Sequence, residues 1–220
     1  SMVNPSGIFS STEEGAASGK SGIAVLLDSM RRFESDELLQ ATGCWSLVNI
    51  ALAPPQKEIL VKLGGIDVTI RAMTNHALNA EVQFRALFAL INLIIPSPQQ
   101  NQEPAGARGP PHDDDLPENE SLDIENIVHL VVLAMKNFCS NEAILNRACL
   151  VLHNLSLNPA YHLAMLWTPN CYQLLEWCLG NFRTDQVLQQ SAAGTLHRLQ
   201  MTLSRDEGLR SRFMVSLQAQ

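Results

Sequence analysis

The chain has little of what most functional classes require. Among its 220 residues no apolar run approaches the roughly 18 needed to span a bilayer. The amino terminus lacks the basic-then-apolar order of a secretion signal, and Ser1-Met2 reads as a tag remnant before a start methionine. Five cysteines (44, 139, 149, 171 and 178) are odd in number and hold no C-x-x-C pair, which argues against a disulfide framework or a zinc knot. Cys44 and Cys149 stand among apolar neighbours and read as reduced core thiols of an intracellular, cytoplasmic protein. Basic residues are in deficit, 15 Lys and Arg against 22 Asp and Glu for a net charge of −7, so there is no basic stripe for a nucleic acid.

Catalytic constellations are missing too. The six histidines are dispersed, and no Ser/His/Asp set has a recognisable context. Cys149 and His153 are four apart on a helix but lack a third and fourth metal ligand, and His112 with Asp113 to Asp115 reads as a solvated charge run. Residues 15–21, Gly15-Ala-Ala-Ser-Gly19-Lys20-Ser21, are one residue short of a phosphate-binding loop and follow no strand-like run. The expectation is a protein that is not an enzyme and uses neither cofactor nor metal.

What the chain does have is repetition. "GCWSLVNI" (43–50), "ALFALINL" (86–93), "ACLVLHNL" (148–155) and the worn "AAGTLHRL" (192–199) are versions of one segment, with Asn49, Asn92, Asn154 and Arg198 in register at spacings of 43, 62 and 44 residues. Upstream of each lies a shorter apolar-periodic segment, beginning at Gly22, Gly65, Asn126 and Cys171, at 27, 27, 28 and 27 residues from its Asn or Arg. These predict first helices over 22–33, 65–76, 126–138 and 171–182, and long helices over roughly 36–53, 79–95, 141–157 and 184–203. The links "ESDE", "HALN", "CSNE" and "RTDQ" supply N-capping side chains. Short helices over 56–65, 160–167 and 207–217 follow, punctuated by Pro54-Pro55, Pro159 and Pro169.

Two stretches stand outside the repeat. Residues 1–20 are Ser/Gly-rich and read as a flexible lead-in. Residues 96–122 are rich in Pro, Gly and Gln and hold Glu103, Asp113, Asp114, Asp115, Glu118 and Glu120 against Arg108 alone. They read as an acidic loop insertion that lengthens one spacing to 62. The repeat domain is thus 21–218, with units about 22–53, 54–95, 123–157 and 158–203 and a final helix over 206–218. It opens and closes part-way through a unit without polar caps, as an excised piece of a longer array would.

A 43-residue unit of short, medium and long helix resembles the armadillo repeat, as in catenins and the importin-α nuclear import adaptors. Gly64-Gly65-Ile66 and Ala86 to Leu93 match the family's G-G-I and A-x-x-A-L-x-N-L elements. The resemblance covers about 22–95 and 126–218. It implies an all-α fold, a right-handed armadillo-type solenoid of about four repeats, whose long helices line a concave groove.

On a 3.6-residue wheel the positions −6, −5, −2 and +1 from each Asn face the other helices, from Gly43, Cys44, Leu47 and Ile50 to Ala192, Ala193, Leu196 and Leu199. Positions −7, −4 and 0 share another stripe: Thr42, Trp45, Asn49; Arg85, Phe88, Asn92; Arg147, Leu150, Asn154; Ser191, Gly194, Arg198. If the resemblance holds, that stripe is the groove, with Trp45, Asn49, Arg85, Phe88, Asn92, Arg147, Asn154 and Arg198 as its binding residues. An Asn side chain matches the C=O and N–H of an extended backbone, and aromatic walls anchor side chains. Import adaptors need acidic groove positions for basic signals, whereas this stripe carries arginines, whose guanidinium forks favour carboxylate or phosphate.

The expected function is therefore a protein–protein interaction scaffold for an extended acidic or phosphorylated segment. The alternative is an autoregulatory or oligomer-assembly segment of a larger protein, its groove filled by the 96–122 insertion or by a neighbouring chain through open repeat ends. A bland role also competes at each position. The Asn residues can bond a neighbouring repeat's backbone and fix the stack, and Arg85 and Arg147 can pair with Glu81 and Glu142.

Overall fold

Four side chains, each thirteen residues before its repeated Asn or Arg, start the four long helices. Asp36, Asn79, Asn141 and Asp185 accept hydrogen bonds at 3.0–3.2 Å from the backbone N–H of Leu39, Val82, Ile144 and Leu188. Each cap satisfies an orphan donor of the first turn and contributes about 1 kcal/mol. The computed structural model describes residues 21–95 and 122–218, and the described residues are all-helical with no strand. The lead-in of 1–20 and nearly all of the 96–122 insertion lie outside the described residues.

Eleven α-helices and one 3-10 turn are described. The first helices of the units are α1 (Gly22–Arg32), α4 (Gly65–Asn75), α6 (Ile124–Asn137) and α9 (Cys171–Asn181). The long ones are α2 (Glu37–Ile50), α5 (Ala80–Ile94), α7 (Glu142–Ser156) and α10 (Gln186–Arg205). Connecting pieces are α3 (Pro54–Lys62), a 3-10 turn (Pro159–Tyr161) with α8 (His162–Trp167), and α11 (Glu207–Gln218). The helices fall into two rows: α1, α4, α6 and α9 pack in sequence, and α2, α5, α7 and α10 pack in sequence against them. The 62-residue spacing does not interrupt either row, since α4 still packs on α6 and α5 on α7.

The core lies between the rows. Met30, Met73 and Met135 are buried at one shared register, and Met30 lies against Gly43 of α2. A Cβ at Gly43 would come within 2.6 Å of the Met30 sulfur, so any larger residue there makes the Met30 side chain shift. Helices α5 and α7 are buried around most of their circumference because each has a long helix on either side. In α10 the expected inward face is shifted. Ala193 is exposed and Ser191 buried, because no further long helix covers that side of α10 among the described residues.

A second repeated device joins the rows. Gln40 donates its amide hydrogens to the carbonyls of Met30 and Phe33 at 2.8 and 2.9 Å, Gln83 to Met73 and His76 at 2.8 and 3.0 Å, and Gln189 to Leu179 and Phe182 at 3.0 and 3.1 Å. Each Gln thus satisfies two orphan carbonyls at the end of the preceding helix, a role usually left to water or a glycine cap. The α6–α7 unit has Leu145 at this register and forgoes the device. Along the same edge neighbouring units are tied by the His76 ring to the Glu34 carbonyl at 2.7 Å and by Asn137 donating to the Ala77 carbonyl at 3.0 Å.

Candidate functional site

Residues seven apart on a helix lie nearly two full turns apart and so share a face. On α2, α5 and α7 that spacing brings Trp45, Arg85, Phe88 and Arg147 into one continuous row. Trp45, 41% exposed, meets Phe88 edge to face with ring centroids 5.8 Å apart. The Arg85 guanidinium lies 5.8 Å from the Trp45 ring. Arg147 lies over Phe88 at 4.6 Å and over Phe84 at 5.8 Å, and Phe84 meets Phe88 at 6.4 Å. Phe84 is a member that the sequence reading missed; an aromatic four residues before Phe88 was the available signal.

The arginines differ in what already holds them. Arg85, 28% exposed in its side chain, pairs with Glu81 one turn earlier at 2.5 Å, so the bland expectation is met there. Arg147 does not pair with Glu142 or with any other carboxylate among the described residues. Glu81 and Arg85 are four apart and share a helix face, whereas Glu142 and Arg147 are five apart and do not. Arg147 instead donates from Nη1 to the Asn146 side-chain oxygen at 3.0 Å. Asn146 in turn donates to both carboxylate oxygens of Asp185, the cap of α10, at 2.9 and 2.7 Å.

Arg198 does not join the aromatic row. Its Nη1 donates to the Ser156 hydroxyl at 3.2 Å and stands 3.4 Å from Nδ1 of His153. Burial and the neighbouring Arg198 charge hold the His153 pKa below its ordinary value. Among the described residues no carboxylate pairs with Arg198. A Cβ at Gly194 would come within 3.1 Å of the His153 ring, so the bare backbone there admits the imidazole.

The repeated Asn residues also divide. Asn49 is exposed and donates to the Trp45 carbonyl of its own helix at 3.0 Å. Neither Asn92 nor Asn154 makes the neighbouring-backbone bond that a purely architectural role requires. The Nδ2 atoms of both are buried without a hydrogen-bond partner, and so is Nε of Arg147. No other side-chain nitrogen or oxygen among the described residues is in that state. A buried unpaired polar atom costs about 1–3 kcal/mol. Three of them lie on one stripe, and all three are N–H donors, so among the described residues this stripe is short of acceptors.

Elsewhere the chemistry is quiet. Among the described residues no cluster of His, Cys, Asp or Glu is placed to hold a metal ion, and no helix is long and apolar enough to cross a membrane. All five cysteines are free, and Cys44, Cys149, Cys171 and Cys178 are buried. Burial pushes the Cys44 and Cys171 thiols up to about 12. A hydrogen bond with Cys178, together with burial, raises the Cys149 pKa well above the ordinary thiol value. His162 is fully used, bonding the Thr202 hydroxyl at 2.6 Å and the Ser156 carbonyl at 2.7 Å. A half-open cavity of about 450 Å³ lies between α9, α10 and α11, lined by Tyr172, Gln200, Leu203 and Phe213, away from the aromatic row.

Comparison with known proteins adds one partial likeness. The chain is 32% identical over 81 residues to Protein aardvark of Dictyostelium discoideum, a match covering 33% of this chain and 11% of that protein. The chain thus spans about a tenth of the length of the curated relative it matches. No family model matches. No solved structure matches either.

Proposed function

We propose that the two helical rows form an armadillo-type right-handed solenoid of about four units, and that the row running from Trp45 and Arg85 through Phe88, Asn92 and Arg147 is its peptide-binding groove. The protein is a non-catalytic interaction scaffold. Its ligand is an extended polypeptide segment bearing negative charge, and its free thiols suit a reducing intracellular compartment. The repeat register, the shared caps and the Gln device support the solenoid reading.

One observation carries the binding reading. The buried donors without partners lie on the stripe that an extended chain would follow. An extended backbone presents a carbonyl acceptor at every residue, and alternate side chains on one side can rest on Trp45 and Phe88. Selection of binders from a random dodecapeptide library displayed against the protein tests this. Trp45→Ala with Asn92→Ala is expected to weaken a selected peptide by about a hundredfold, roughly 2.7 kcal/mol over the two contacts. Unchanged affinity in that double variant, with the helical circular dichroism intact, removes the groove assignment.

A further inference from the structure

Which arginine reads the ligand's charge follows from what each arginine already touches, given the groove reading above. Arg85 and Arg147 occupy the same register on α5 and α7, and by sequence they are equivalent. In the fold they are not. The positive charge of Arg85 is answered by Glu81 at 2.5 Å. Arg147 is held in place by neutral groups: Phe88 at 4.6 Å, Phe84 at 5.8 Å and the Asn146 oxygen at 3.0 Å. The nearest carboxylate in its network is Asp185, one residue removed through Asn146. Its Nη2 makes no hydrogen bond among the described residues. A guanidinium stacked on two rings and fixed by one hydrogen bond has lost little further freedom to lose on binding, which favours it as an anchor.

We infer that Arg147 is the charge-reading residue of the groove, and that it selects a single carboxylate side chain, Asp or Glu, on the bound segment. Its neighbours on the stripe, Asn92 and Asn154, take backbone carbonyls once their side chains turn to bring the buried amides to the surface. A carboxylate fits better than a phosphate because of the charge count. A phosphate ester carries about −1.5 to −2 at pH 7 and is held by clustered cations, whereas one guanidinium without a direct carboxylate partner among the described residues matches one carboxylate. Arg198 does not complete a phosphate site with Arg147. It is bound to Ser156, which stands nine residues along α7 from Arg147, a helix rise of about 13.5 Å at about 1.5 Å per residue. The groove therefore has separated single charges rather than an arginine cluster.

The test uses the same random dodecapeptide library on the wild-type protein, followed by titration of the strongest selected peptide against variants. Selected peptides are expected to be enriched in Asp or Glu at one position. Replacing that acid by its amide, or Arg147→Gln in the protein, weakens binding by about tenfold or more, while Arg147→Lys retains part of it. Arg85→Gln weakens binding less than Arg147→Gln does, because its charge is already matched by Glu81. Combining the amide peptide with Arg147→Gln adds no further loss. A phosphoserine version of the peptide binds no more tightly than the Asp or Glu version. A binder that needs Trp45 and Asn92 yet is indifferent to Arg147→Gln, or loses as much with Arg85→Gln, overturns this inference and leaves the groove standing. Tighter phosphoserine binding overturns the carboxylate selection. A library that yields no binder, or only binders indifferent to Trp45→Ala and Asn92→Ala, overturns both.

Discussion

Asn92→Leu should make the protein more stable and less able to bind. Leucine has nearly the shape of asparagine, with the polar pair replaced by two methyl groups. Asn92 sits on α5 between buried Ile91 and Leu93, and its Nδ2 is shut away without a partner. The amide therefore gives up its hydration without a protein bond in exchange, at a cost of about 1–3 kcal/mol that a methyl group does not incur. Replacement by leucine is expected to raise the unfolding free energy by about 1–2 kcal/mol, a shift of about 2–4 °C in midpoint for each kcal/mol in a chain of this size. The same change removes one donor from the groove and should weaken a selected peptide by about tenfold. Asn49→Leu is the control: Asn49 is exposed and bonded to the Trp45 carbonyl, so no gain in stability is expected. Thermal and urea melts followed by helical circular dichroism, with peptide titration of each variant, read both quantities. An Asn92→Leu protein less stable than wild type by about 1 kcal/mol or more would refute the reasoning about the unpaired amide. Higher stability with unchanged peptide affinity would refute its role in binding.

Two further outcomes follow from the same structure. Gln83→Leu, which installs the residue that α7 already has at this register, should destabilise by about 1–3 kcal/mol in urea melts, because the Met73 and His76 carbonyls lose their donors; a neutral result would make the repeated Gln ornamental. His153 has its folded pKa held below the ordinary 6.5 by burial and by Arg198. The unfolded chain therefore binds the proton first as pH falls below about 6.5, and stability should decline through that window more steeply than in His153→Gln. Parallel slopes for the two proteins would show that His153 does not contribute.

The helices were legible because their determinants are local. Apolar spacing, a capping Asp or Asn and a following Pro act over a handful of residues, so the long helix expected over 79–95 forms as Ala80–Ile94 and that expected over 141–157 as Glu142–Ser156. The Gln register was equally visible as letters but carries no meaning until the preceding helix end is seen to lie against it. The shifted face of α10 was illegible for a similar reason. A wheel drawn on one helix assumes neighbours on the same sides as in the other units, and α10 has fewer.

The candidate site divides along the same line. By itself the amino-acid sequence determined that Trp45, Arg85, Phe88, Asn92 and Arg147 recur on one stripe, since seven residues of α-helix nearly close two turns. It also held the Glu81 pairing of Arg85, because a spacing of four is a contact within one helix. Only the tertiary structure decided that Arg147 stacks on Phe84 and Phe88 of another helix, that Arg198 turns to His153 and Ser156, and that Asn92 and Asn154 end with buried, unanswered donors. Those outcomes depend on which groups from segments some 40 to 60 residues apart are brought within 3–6 Å, and the packing of the two rows sets those distances.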